Sequence, residues 1–103
     1  MPANELSFDV REGEASTVVA VAGEVDMATA PQLDHHLCAM VDRDVVVDLS
    51  GVAFLDSSGV SALVHVMQAF QAQGRTLRVA GERDNVRTVL EVTGVYDALH
   101  GDA

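Results

Sequence analysis

The stretch Val45-Val46-Val47-Asp48-Leu49-Ser50-Gly51-Val52-Ala53-Phe54-Leu55-Asp56-Ser57-Ser58-Gly59 decides the fold, because it carries the chain from a strand through one turn into a helix. Val45 to Leu49 is an apolar, β-branched run, short enough to be a buried strand. Ser57 and Ser58 are residues that can cap a helix, and Val60, Leu63, Val64, Met67 and Phe70 follow at helical spacing, so one apolar stripe faces inward until Gly74. Thr76-Leu77-Arg78-Val79-Ala80 then supplies the returning strand. A strand-helix-strand crossover is right-handed and joins parallel strands, so the loops leaving the strands' carboxyl ends share one edge of the sheet.

The same plan extends in both directions. Upstream, Thr29 with Gln32 three residues on has the form of a capping box, with Pro31 in the first turn. Leu33, Leu37, Met40 and Val41 continue that helix's inward stripe up to the polar Asp42-Arg43-Asp44. Before it, Glu5 to Val10 alternates polar and apolar residues, and Thr17 to Ala22 follows the turn-like Gly13-Glu14-Ala15, which predicts an opening hairpin. Downstream, Asp84 is expected to cap a shorter helix with Val86, Val89 and Leu90 inward and Gly94 as its stop, and Val95 to Leu99 closes the chain. The expected order is β-β-α-β-α-β-α: an α/β fold with a small mixed sheet packed with helices. A single domain over residues 1–103, with its core at about 5–99, is the economical reading. The shared edge collects residues 23–29, 50–58 and 81–84, which is where α/β sheets usually carry function.

Composition narrows the function. With 49% hydrophobic and 21% charged residues the chain reads as folded, and its 103 residues leave no room for a catalytic domain beside a regulatory one. Six basic against 16 acidic residues give a net charge of −10, which repels nucleic-acid phosphate and anionic lipid. No nucleic acid and no membrane are therefore expected as partners. Every basic residue is an arginine, so lysine-dependent Schiff-base and P-loop chemistry is excluded. The single Cys38 cannot form an intramolecular disulfide, and Met1-Pro2-Ala3-Asn4-Glu5 lacks the basic flank and apolar run of a secretion signal, so a cytoplasmic location is expected.

Phe54-Leu55-Asp56-Ser57-Ser58-Gly59 between strand and helix, with Gly23-Glu24-Val25-Asp26 upstream and the Gly74 to Gly94 segment downstream, closely resembles the STAS domain of bacterial anti-sigma factor antagonists. The resemblance covers roughly residues 5 to 99 and thins at the carboxyl end, where the family often carries a fuller final helix. It implies an interaction module switched by phosphorylation. The first serine after the aspartate, here Ser57, would be phosphorylated by an anti-sigma factor that is itself an ATP-using serine kinase. The unphosphorylated antagonist would sequester that factor and free the sigma factor. The resemblance also implies that Ser58 caps the helix, that Asp26 is the aspartate near the phosphosite, and that a phosphatase is a further partner. A monomer or weak dimer is expected, with no cofactor and no metal.

The residues support such a switch in their own right. A serine at a helix amino terminus lies among unpaired N–H groups, and Gly59 is expected to leave room for a kinase. Glu24, Asp26, Asp56, Ser57, Ser58, Gly59 and Arg83 form the expected interface, Arg83 because its loop should reach the Ser57 edge. The bland alternatives are that Ser57 is a plain cap, that Asp26 and Asp56 only form turns, and that Met27, Met40 and Met67 fill the core or an interface. A hydrolase reading of Ser57 and His65 fails: on one helix they stand about 12 Å apart at roughly 1.5 Å per residue, and the nucleophile elbow's glycine is replaced by Leu55. His35 and Cys38, three apart, have metal-ligand chemistry but no second cluster in sequence, so surface histidines and a half-buried thiol are expected instead. The rival interaction reading is a STAS module of another signalling assembly, such as a stressosome-like scaffold.

Overall fold

The computed structural model describes residues 5–101; the first four residues of the segment read for a leader, and Asp102 and Ala103, lie outside them. The chain forms β1 (Ser7–Glu12), β2 (Thr17–Val25), α1 (Ala30–Cys38), β3 (Val45–Leu55), α2 (Ser57–Ala72), β4 (Leu77–Ala80), α3 (Asp84–Val92) and α4 (Tyr96–Leu99). One sheet holds the strands in the order β1-β2-β3-β4. β1 pairs antiparallel with β2, as the hairpin pattern predicts, and Gly13 N–H donates to Ser16 O at 3.0 Å to close the turn. The two later pairings are parallel. The mixed α/β fold expected from the sequence is therefore the fold observed, with α4 as an added final turn of helix.

The β-branched runs supply the inward face of the sheet. Val19, Val21 and Val25 of β2 and Val45, Val47, Leu49, Val52 and Leu55 of β3 are buried in one core with Leu33 and Leu37 of α1, Leu63, Val66 and Phe70 of α2, and Val86, Leu90 and Leu99. Met40 is buried and Val41 packs against the core, but both follow the end of α1 at Cys38.

β3 is longer than its first five residues suggest, and the reason lies in its pairing. Its register against β2 slips between Ala20 and Ala22 and again between Gly23 and Glu24, so β3 uses two more residues than its partner over the same span. Such bulges break strict alternation and bend the strand, which is why Val52 and Leu55 both point inward although three residues apart. Gly51 permits the first slip: a Cβ there would stand 2.9 Å from both the Ala22 Cβ and the Val21 carbonyl oxygen. The segment expected as a loop from residue 50 is thus strand up to Leu55.

Two expected caps are not made. The Thr29 hydroxyl donates to Glu24 O at 2.7 Å and accepts from Asp26 N–H at 2.9 Å, while Gln32 Oε1 accepts from Leu6 N–H at 3.1 Å. Both side chains tie the start of α1 to neighbouring strand ends instead of to each other. Asp84 is the first residue of α3 and not its cap; Arg83 holds the cap position in extended backbone, without a side-chain hydrogen bond to the helix.

Candidate functional site

β2 and β3 end level with one another, since Val25 is the register partner of Leu55. Asp26 and Asp56 are the next residues, and Asp56 N–H donates to Val25 O at 3.1 Å, which holds the two turns side by side. Each aspartate starts a helix. Asp26 Oδ1 accepts from the N–H groups of Ala28 at 2.9 Å and Thr29 at 3.1 Å, and Asp26 O accepts from Ala30 N–H at 2.8 Å at the start of α1. Asp56, extended at φ −107° and ψ −171°, is the cap of α2: its Oδ1 accepts from Ser58 N–H at 2.9 Å and Gly59 N–H at 3.3 Å. A carboxylate there both satisfies free N–H groups and meets the positive end of the helix dipole.

This corrects the expectation that Ser57 or Ser58 caps α2. With Asp56 in the cap position, Ser57 becomes the first helical residue; it is exposed, and among the described residues its hydroxyl has no hydrogen-bond partner. Ser58 is half-buried and faces the groove between α1 and α2. Gly59 is also not what its size suggested. It is buried, and a Cβ there would meet Leu55 Cγ and Val25 Cγ1 at 2.8 Å each. The room it leaves is taken by those two side chains, letting α2 begin hard against the strand ends.

Glu24 is exposed on β2 with Phe54, 46% exposed, as its cross-strand neighbour. Among the described residues none of Glu24, Asp26 and Asp56 has an ion-pair partner. Met27, next to Asp26, is 80% exposed, unlike the buried Met40 and half-buried Met67. Sequence reasoning passed over Met27 and Phe54 as surface features, because the turn and bulge that turn them outward leave no periodic signal.

Arg83 stands apart from this group. Its Nε donates to Ser50 O at 3.0 Å, and Asn85 Nδ2 donates to Ala53 O at 2.9 Å. The loop after β4 therefore lies along the part of β3 that β4, paired only with Val45 to Asp48, leaves open. At roughly 3.3 Å per residue, Ser50 is on the order of 15 Å from Leu55. The guanidinium is thus held at Ser50, not beside Ser57.

His65 is engaged elsewhere too, its Nδ1 lying 2.6 Å from Asp34 Oδ2. Cys38 Sγ is 3.5 Å from Asp34 Oδ1; burial pushes the thiol pKa up, and the hydrogen bond to and charge of Asp34 push it the same way. Among the described residues no helix is long and apolar enough to cross a membrane.

Comparison with known proteins agrees with this geometry. The family described as Mlab, STAS domain matches residues 8–100. The anti-sigma-B factor antagonist of Staphylococcus aureus (strain NCTC 8325 / PS 47) is 33% identical over 85 residues, covering 80% of this chain and 79% of that protein. An anti-sigma factor antagonist from Mycobacterium paratuberculosis superposes with a TM-score of 0.81 at 29% identity, over 97% of this chain and 86% of that one. SpoIIAA shares the fold in its unphosphorylated form, with a TM-score of 0.72 at 20% identity over 87% and 83% of the two chains. It does so too in the phosphorylated form from Bacillus, with a TM-score of 0.65 at 19% identity over 86% and 85%.

The chain belongs to the STAS domain family. Within it, the relatives above are anti-sigma factor antagonists, which are regulatory proteins and not enzymes.

Proposed function

We propose that this protein is an anti-sigma factor antagonist that binds an anti-sigma factor with serine kinase activity and is switched off by phosphorylation of Ser57. The observation that carries the reading is the division of labour at the start of α2. Asp56 makes the capping hydrogen bonds, so the exposed Ser57 hydroxyl is free for a kinase to modify. Glu24, Asp26, Asp56, Ser57 and Ser58 form the surface a partner meets, and buried Gly59 sets its height against the strands. Arg83 contributes from a distance, by tying the neighbouring loop to β3.

A phosphoryl group adds about −1.5 to −2 charge to an edge that already carries three unpaired carboxylates. The helix dipole favours that charge locally by roughly 0.3 to 1 kcal/mol, so the fold tolerates it. A basic partner surface matched to the unphosphorylated edge meets a different charge and shape, and the complex weakens. Because sigma factors act on transcription, the reading places the protein in the cytoplasm, with a phosphatase needed to restore the active form.

Incubation with its anti-sigma kinase and ATP should add one phosphate, mapped to Ser57 by peptide mass spectrometry. Ser57→Ala should abolish the modification and Ser58→Ala should keep most of it. Phosphate found on Ser58 with Ser57 intact overturns the assignment.

A further inference from the structure

Beyond the helix starts, the groove between α1 and α2 brings together three side chains of different donor chemistry. Asp34 and Cys38 are four residues apart on α1, which places them one above the other on the same helix face. His65 reaches across from α2. Asp34 stands between the other two, its Oδ2 2.6 Å from His65 Nδ1 and its Oδ1 3.5 Å from Cys38 Sγ. One donor atom from each residue lies within 4.8 Å of those of the other two. The groove is open to solvent here, with the side chain of Asp34 33% and that of His65 64% exposed, and the adjacent Ala39, Ser61 and Ala62 are small.

We propose that Asp34, Cys38 and His65 form a binding site for one zinc ion, with solvent in the fourth position. One sulfur, one nitrogen and one oxygen are the donor types zinc takes in tetrahedral sites, with bonds of about 2.3, 2.0–2.1 and 2.0–2.2 Å respectively. Around such a centre neighbouring donor atoms stand about 3.4 to 3.6 Å apart. The two short contacts use different oxygens of Asp34, Oδ1 toward Cys38 at 3.5 Å and Oδ2 toward His65 at 2.6 Å, so the carboxylate has to turn to present one oxygen to the ion and the His65 contact has to open, within a donor set that already lies inside 4.8 Å. Both side chains of the Asp34–His65 pair are partly solvent-exposed, which leaves them room to turn about their own torsions. His35, which pairs with Cys38 in sequence, is not one of the ligands; Asp34 and Cys38 share a face of α1, and His65 joins them only when α2 packs on α1. The proposal does not depend on the antagonist reading.

The test uses the full chain without a histidine tag, freed of metal under reducing conditions. Zinc is titrated against a chromophoric chelator, and cobalt(II) serves as the spectroscopic probe. One ion should bind per chain. The cobalt form should show a near-ultraviolet thiolate-to-metal band together with visible bands of four-coordinate intensity. Cys38→Ser should remove the near-ultraviolet band. His65→Ala and Asp34→Asn should each weaken zinc binding by more than the roughly 10–100-fold that outer-shell partners alone are worth. His35→Gln, on the rim of the same groove, should leave affinity unchanged, and a loss there overturns the solvent-bound fourth position. Circular dichroism checks that each variant is folded, while the cobalt spectrum of the wild-type chain is informative without any variant. A six-coordinate cobalt spectrum lacking the thiolate band, or zinc affinity indifferent to Cys38→Ser and His65→Ala, overturns the site.

Discussion

Replacing Asp56 by alanine separates the residue that holds the helix from the residue proposed to be modified. The substitution removes the acceptor for two N–H groups, those of Ser58 at 2.9 Å and Gly59 at 3.3 Å. Loss of an aspartate cap costs about 0.5–2 kcal/mol, and the charge–dipole contribution of roughly 0.3–1 kcal/mol overlaps with it, so the expected loss is about 1.5 kcal/mol. For a domain of this size that is a fall in Tm of roughly 6–12 °C, at about 4–8 °C per kcal/mol. Asp56→Asn keeps the acceptor and gives up the charge, so its loss should be less than half as large. Ser57→Ala should change stability by no more than about 0.5 kcal/mol, because its hydroxyl has no partner among the described residues. Thermal and urea unfolding followed by far-ultraviolet circular dichroism measure all three. If Ser57→Ala costs as much as Asp56→Ala, Ser57 is the cap and the division of labour at this helix start is wrong.

Four further outcomes are expected. Gly59→Ala should destabilise by about 1–2 kcal/mol, because overpacking against Leu55 and Val25 at 2.8 Å outweighs the roughly 1 kcal/mol helix-propensity gain of alanine; a more stable variant in the same unfolding assay would show that α2 can lift freely. Ser57→Asp should weaken binding to the anti-sigma partner by about tenfold or more, equivalent to about 1.4 kcal/mol, with Tm nearly unchanged, and a large drop in Tm would mean that the switch works by unfolding the helix start. Association with that partner, followed by stopped flow, should slow as salt rises, since a chain of net charge −10 is steered to a basic surface; a rate flat in ionic strength removes the steering. In metal-free protein Cys38 should be alkylated with a pH midpoint above that of an ordinary cysteine, because burial and then Asp34 raise its thiol pKa and the reactive thiolate forms only at higher pH; a midpoint at or below the ordinary value refutes that environment.

The hairpin, both parallel crossovers and the buried stripes were legible in the sequence because each depends on short-range periodicity. Val45, Val47 and Leu49 of β3 and Val60, Leu63 and Phe70 of the α2 stripe are buried whatever the details of the loops between them, whereas Val64 and Met67 of that stripe are only half-buried and Val66, outside it, is buried instead. What was not legible is how the polar residues at element ends choose among partners. Thr29 and Gln32 satisfy the capping-box pattern, yet Glu24 O and Leu6 N–H, reachable only after β2 and the segment before β1 are in place, take those side chains. Ser57 and Ser58 are good caps by residue type, and Asp56 displaces both because its extended backbone aims the carboxylate at two N–H groups. Arg83 was placed by loop position alone, which could not reveal that the short β4 leaves the Ser50 carbonyl open to it. The Asp34–Cys38–His65 grouping depends on packing between residues 31 positions apart, and helical spacing within α1 carries only two of its three members.

The placement of the bulges connects the core to the proposed partner surface. Without the two extra residues in β3, Leu55 would fall out of register with Val25, and Asp56 would not follow it to the level of Asp26. The slips bring both strand ends to one height, Gly59 lets α2 start directly on them, and Asp56 N–H to Val25 O locks the arrangement. Every contact in that sequence uses backbone groups, the Asp56 carboxylate or buried apolar atoms, and none uses the Ser57 hydroxyl. A group added to that hydroxyl therefore meets solvent and a docked partner before it meets the core. Its effect on binding has to come from charge and shape at the surface, where about two added negative charges act on a neighbouring molecule while the packing of Val25, Leu55 and Gly59 stays as it is.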